Sequence, residues 1–185
     1  NLRESGACAH CGSSNRQRQM ALMIRQRCHL APLGPIWFPR SYAVYNTESN
    51  GALHHRLAMS AGYVCSEYFG DGHRGGEIVN GVRHEDLQRL SFADDSMDLV
   101  LSSDVLEHMP FPRTALRHTF QILNEGGHLL VSMPNSDCFL WQELDRGGVN
   151  PYWAELEHYH NFGRRRLYQL LEECGFIARR YAVSR

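Results

Sequence analysis

The chain opens polar and turns periodic at "QMALMIRQRC", residues 19–28, where Met20, Met23, Ile24 and Cys28 fall on one helical stripe. "APLGPIWFPR" breaks that pattern with prolines and reads as a connector. From Tyr42 short apolar runs alternate with helical ones. "SYAVYN" predicts a first strand, and "GALHHRLAMSAG" a helix with Leu53, Leu57 and Ala61 inward and Gly62 as its stop. "YVCSEYF" predicts a second strand, "IVNGVRH" a weaker third, "MDLVLSS" a fourth and "HLLVSMP" a fifth. Between the last two, "RTALRHTFQILNEGG" sets Leu116, Phe120 and Leu123 on one helical face with Gly126 past its end. "NFGRRRLYQLLEECGF" spaces Leu167, Leu170, Leu171 and Cys174 for a helix stopped by Gly175, and "FIARRYAV" follows as a last strand.

Strands alternating with helices predict an α/β protein with a mostly parallel sheet and helices on both faces. Residues 1–40 read as an N-terminal region of polar segment, helix and connector. Residues 41–185 read as the α/β domain, with an insert at 135–162. In such sheets ligands bind beyond the C-terminal strand ends, where the strand order reverses.

Composition narrows the partners. With 185 residues, 43% of them hydrophobic, and a formal net charge of −1, the chain lacks the basic footprint of a nucleic-acid binder. No apolar run reaches the roughly 18 residues of a membrane span. The six scattered cysteines, several in apolar stretches, read as reduced thiols, and the expected location is cytoplasmic. The first residue is Asn1 rather than Met, so the chain reads as part of a longer protein. The sequence leaves the oligomeric state open.

The polar residues after each strand carry the candidate chemistry. "NTESNG", Asn46 to Gly51, leads into a helix whose free N–H groups face outward from the strand end. Glu67 follows the second strand, where a carboxylate can accept both hydroxyls of a ribose. Asp86 follows the third, placed to accept from an exocyclic amine while the backbone N–H of Leu87 donates to a ring nitrogen. "SSDVLEHM" follows the fourth. Small and acidic groups on adjacent strand ends suit a nucleoside, and neither a glycine-rich phosphate loop nor a phosphate-binding lysine motif is present.

The segment "GVRHEDLQRLSFADDSMDLVLSSDVLEHMPFPRTALRHTFQILNEGGHLLVSMPN" resembles the central half of a Rossmann-like (class I) S-adenosylmethionine-dependent methyltransferase of the type 11-like group. Asp-Leu after the third strand, Asp-Leu-Val in the fourth, Leu-Glu-His and Leu-x-x-Gly-Gly carry the likeness, which extends loosely over residues 42–183. It implies a three-layer Rossmann-like fold, with the usual final strand missing or outside this chain. It also implies S-adenosylmethionine as cofactor and S-adenosylhomocysteine as product. By this resemblance Glu67 holds the ribose, with Tyr68 beside it also cofactor-binding, Asp86 and Leu87 hold the adenine, and Ser102, Ser103 and Asp104 line the methionine side. Thr47, Glu48, Ser49 and Gly51 approach the amino-acid end. The family's first loop is usually Gly-x-Gly-x-Gly-like, whereas here a single glycine closes a Thr-Glu loop. Close backbone approach is what those glycines provide, so a degenerate cofactor-binding or scaffold domain is the alternative to an enzyme. A nicotinamide-type oxidoreductase is a weaker third, lacking its glycine fingerprint.

His108 is the candidate general base for a small-molecule acceptor. Phe139, Trp141, Tyr152, Trp153 and Tyr159, with His158 and His160, mark 135–162 as a lid over that acceptor or a packed excursion. Arg164, Arg165 and Arg166 stand in the first turn of the last helix, against the helix dipole, and read as a solvated face, with an acidic acceptor or a carboxylate neighbour as the alternative. "CAHCG" resembles half of a zinc ribbon. Cys8 and Cys11 alone do not close a site, Cys28 and His29 are the candidates to complete it, and the expectation is a reduced turn with no metal.

Overall fold

The computed structural model describes residues 7–149 and 158–180. Its elements run α1 (Asn15–Arg27), β1 (Val44–Asn46), α2 (Gly51–Leu57), β2 (Tyr63–Glu67), β3 (Ile78–Val79), β4 (Val82–His84), β5 (Met97–Ser103), α3 (Pro112–Ile122), β6 (Leu123–Ser132), α4 (Phe139–Arg146) and α5 (Arg164–Glu173). Short 3-10 turns at Leu87–Arg89 and Leu106–His108 follow β4 and β5. Among the described residues the strands form one sheet in the order β3-β4-β2-β1-β5-β6, parallel except for the β3–β4 pair.

The central strands β1 and β5 are buried on both faces, and alternate side chains of the sheet feed two cores. Val44, Leu99, Leu101 and Leu130 point to one side, where they meet Leu53 and Leu57 of α2 and Met20 and Ile24 of α1. Tyr45, Val100 and Leu123 point to the other, against Leu116 of α3 and Leu170 of α5. The result is a three-layer α/β/α sandwich of Rossmann-like type, with Ile36 and Phe38 of the connector in the same core as α1.

Several local expectations shift. "IVNGVRH" is a hairpin rather than one strand. Asn80 and Gly81 take φ of 51° and 82°, the left-handed pair that a two-residue type I′ turn requires. α2 stops at Leu57, so Ala61 lies exposed in a turn instead of facing the core. Gly62 is needed there for another reason, since a Cβ would stand 2.3 Å from the Tyr42 carbonyl oxygen. Phe120 is 46% exposed and stacks edge-on to Phe176 rather than entering the core. Leu123 does not belong to α3 but opens β6, whose pairing with β5 shifts register between Met97 and Leu99 to absorb "NEGG". Residues 176–180 are not a strand, and the rest of that expected element lies outside the described residues.

α5 carries the arginines without an acid of its own in its first turn. Asp137 supplies the charge from outside, accepting from the Arg164 backbone N–H at 2.6 Å. Gly163 is what lets the carboxylate come so near, because a Cβ there would lie 2.3 Å from Asp137 Oδ1.

Candidate cofactor and acceptor site

The strand order turns back at β1, so β1 and β5 form the switch point, and their exits should meet a ligand. The first loop is held by side chains rather than freed by glycines. Buried Asn46 donates from Nδ2 to the Glu48 carbonyl at 2.9 Å and to the Tyr63 hydroxyl at 3.0 Å. Tyr63 Oη lies 2.9 Å from His54 Nδ1 on α2. Burial, then the neighbouring His55, push the His54 pKa down, which favours the neutral ring beside the Tyr63 hydroxyl. Gly51, φ +83°, is the one position where the loop needs glycine, and the Gln17 amide occupies the place of its Cβ.

Glu67, at the end of β2, accepts from both the backbone N–H and the hydroxyl of Ser49 at 2.8 Å. The structure thus joins Glu67 to the first loop and leaves the carboxylate half-buried at the strand edge. Tyr68 is exposed, and its hydroxyl donates to Asp71, which pushes its pKa up to about 12. Asp86 Oδ1 accepts from Gln88 N at 2.8 Å and so starts the 3-10 turn that buries Leu87. Its neighbour Glu85 has a different job. Fully inside, it takes bonds from Arg83 Nε at 2.7 Å and from Ser91 N at 2.9 Å and ties the hairpin to the following turn.

At the exit of β5, Ser102 and Ser103 are buried, and Asp104 takes φ 49° while its N–H bonds the Ser132 carbonyl at 2.8 Å. Two buried hydroxyls at this switch point, Thr47 Oγ1 and Ser102 Oγ, have no hydrogen-bond partner among the described residues. Buried hydroxyls are seldom left so, and orphaned groups lining two adjacent strand ends fit a polar ligand there.

Arg16, which the strand-by-strand reading missed, spans this edge from α1. Its guanidinium meets Glu48 Oε1 at 3.1 Å and Asp104 Oδ2 at 2.7 Å, bridging the first loop to the β5 exit. The sequence carried a signal for the helix start alone, not for its reach across the sheet edge. Ser14 and Gln17 form a reciprocal capping box, which fixes the helix start and puts Arg16 in its first turn.

His108 ends the 3-10 turn after β5, with its ring 4.4 Å from that of His158. The neighbouring Tyr159 and His160 donate backbone N–H bonds to the Glu107 carbonyl at 2.9 and 3.2 Å, so the end of the insert folds back onto the site. Phe139 and Trp141 belong to α4, while Tyr152 and Trp153 lie outside the described residues. Cys28 and His29 do not approach Cys8 and Cys11. They sit at the far end of α1, about 20 Å away by its rise per residue, with Cys28 Sγ against the Tyr42 hydroxyl. The hydroxyl of Ser13 bonds the exposed Cys11 sulfur and lowers its pKa to about 7. A cavity of about 1250 Å³ runs along β6 and α5, but Thr47, Glu67, Asp86 and Ser102 do not line it.

A Rossmann-like sheet with a switch point between β1 and β5 places the chain in the class of doubly wound α/β proteins. Within it, the chain belongs to the methyltransferase domain family, which it matches over residues 29–179. It is 32% identical over 95 residues to a probable S-adenosylmethionine-dependent methyltransferase of Mycolicibacterium smegmatis, covering 51% of this chain and 34% of that protein. It is 33% identical over 82 residues to an arsenite methyltransferase of Aquipseudomonas alcaligenes, covering 40% and 24%. The matched part thus spans about a third of one curated relative and about a quarter of the other. Among solved structures, phosphoethanolamine N-methyltransferase 2 of Haemonchus contortus, in complex with S-adenosyl-L-methionine, superposes with a TM-score of 0.56 at 13% identity over 95% of this chain and 40% of that one. A Bacillus halodurans protein assigned to the methyltransferases gives 0.57 at 16% identity over 83% and 68%. These likenesses concern the fold. No helix among the described residues is long and apolar enough to cross a membrane.

Proposed function

We propose that this chain is the cofactor-binding and catalytic domain of an S-adenosylmethionine-dependent methyltransferase acting on a small-molecule acceptor. The observation that carries the reading is the pair of orphaned buried hydroxyls, Thr47 Oγ1 and Ser102 Oγ, at the β1/β5 switch point of a methyltransferase-family sheet. Glu67 and Tyr68 would hold the ribose, and Asp86 with the Leu87 N–H the adenine. Thr47, Glu48, Ser49 and Gly51 would border the amino-acid end, with Ser102 to Asp104 as the opposite wall. Arg16 adds a cation where a carboxylate of the cofactor would lie.

The cofactor supplies an already activated methyl group, so this chain's residues need mainly to orient the acceptor and keep water out. His108, in the 3-10 turn that follows that wall, would take a proton from an oxygen or nitrogen acceptor. Arsenite and phosphoethanolamine stand in the names of two similar proteins, and both are small. The net charge of −1 also favours a small acceptor over nucleic acid.

Calorimetric titration with S-adenosylmethionine and S-adenosylhomocysteine tests the reading. Micromolar binding is expected. Asp86→Ala removes a charged acceptor and should weaken binding by about 10- to 100-fold, corresponding to about 1.5–3 kcal/mol for a hydrogen bond to a charged group. A protein that binds neither ligand is not a methyltransferase of this kind. Binding of both without transfer to any acceptor would instead support a scaffold domain.

A further inference from the structure

No spacing motif in the sequence joins Glu107 and His108 to His158, which the chain separates by α3, β6 and α4. The fold brings them together. One ligand atom from each, a carboxylate oxygen and two imidazole nitrogens, lies within 4.8 Å of the others. Glu107 is 2% exposed, and the two histidines are half-buried. The backbone bonds from Tyr159 and His160 to the Glu107 carbonyl fix the approach of His158, so the grouping does not depend on a free side chain happening to swing inward.

We propose that Glu107, His108 and His158 bind one divalent transition-metal ion. The buried carboxylate and the two imidazoles converging beside it supply a set of two nitrogens and one oxygen. That set suits zinc, manganese, iron or cobalt rather than calcium or magnesium, which take oxygen ligands. Metal–ligand bonds of about 2.0–2.2 Å put neighbouring tetrahedral ligands about 3.4 Å apart. The present separations therefore need a closure of roughly 1.4 Å or less, within the reach of side-chain torsions. Three protein ligands leave coordination positions for an exchangeable oxygen. The acceptor class that would use them carries an ionisable hydroxyl, whose proton a bound cation lets pass to solvent water, so with His108 holding the ion the cation takes over the part of that imidazole as base. That use rests on the methyl-transfer reading, whereas metal binding itself does not.

The test uses the whole chain, stripped with chelator and titrated with Mn²⁺ alone and Co²⁺ alone, with S-adenosylhomocysteine binding measured on every sample. One ion per chain is expected, with cobalt giving d–d absorption and no thiolate charge-transfer band. Glu107→Gln, His108→Ala and His158→Ala should each weaken metal binding at least 10-fold. His158→Ala, outside the sheet and its core, should keep S-adenosylhomocysteine affinity and so report on the site without a folding defect. A chain with both Cys8→Ser and Cys11→Ser should bind metal unchanged. No bound ion, binding that survives His158→Ala, or binding lost with the two cysteines would overturn the proposal. Metal binding without S-adenosylhomocysteine binding would leave the metal site standing and remove the methyl-transfer reading.

Discussion

Asp104 shows how much a single backbone angle decides. At φ 49° it stands in the left-handed region, which aspartate enters more readily than most residues and β-branched residues resist. The strained turn swings its carboxylate off the strand line to meet Arg16. Asp104→Asn keeps the backbone preference and should leave stability within about 0.5 kcal/mol. Asp104→Val should cost about 1–2 kcal/mol in urea denaturation, because valine in this conformation crowds its own carbonyl. Positions such as Glu67, Asp86 and Ser102 were legible as site candidates because each directly follows an apolar run. Arg16 was not, since nothing in local spacing says which helix crosses which strand end. The conformation of Asp104 was equally hidden, as one aspartate after two serines looks the same in either backbone region.

At the scale of elements, apolar runs located the parallel strands because burial on both faces leaves no alternation to misread. The errors came where another rule won. Asn-Gly in "IVNGVRH" is a turn signal stronger than the β-branched residues around it. Leu123 matches a helical face and a strand start equally well, and pairing with Met97 decides for the strand. The reversed charges of α5 find their answer only in tertiary contact. Asp137→Ala should remove a cap-like bond from the helix start and cost about 1 kcal/mol, within the range of lost N-terminal caps. Gly163→Ala should cost more, since its Cβ would displace the same carboxylate, and urea midpoints of the two variants would show the order.

For the whole molecule, layer order and switch point followed from the alternation of elements, whereas the place of the N-terminal helix did not. α1 buries Met20 and Ile24 completely against the sheet and carries Arg16 over its edge. Ile24→Ala should cost about 2–5 kcal/mol, as large-to-small changes in a packed core do. A chain begun at residue 29 should lose cooperative thermal unfolding together with S-adenosylhomocysteine binding. The part shared with the family starts after α1. Kinship and integrity therefore draw different borders around this domain. A stretch cut to the inherited border would keep every residue its relatives recognise, yet lack one wall of its core and the cation over the sheet edge.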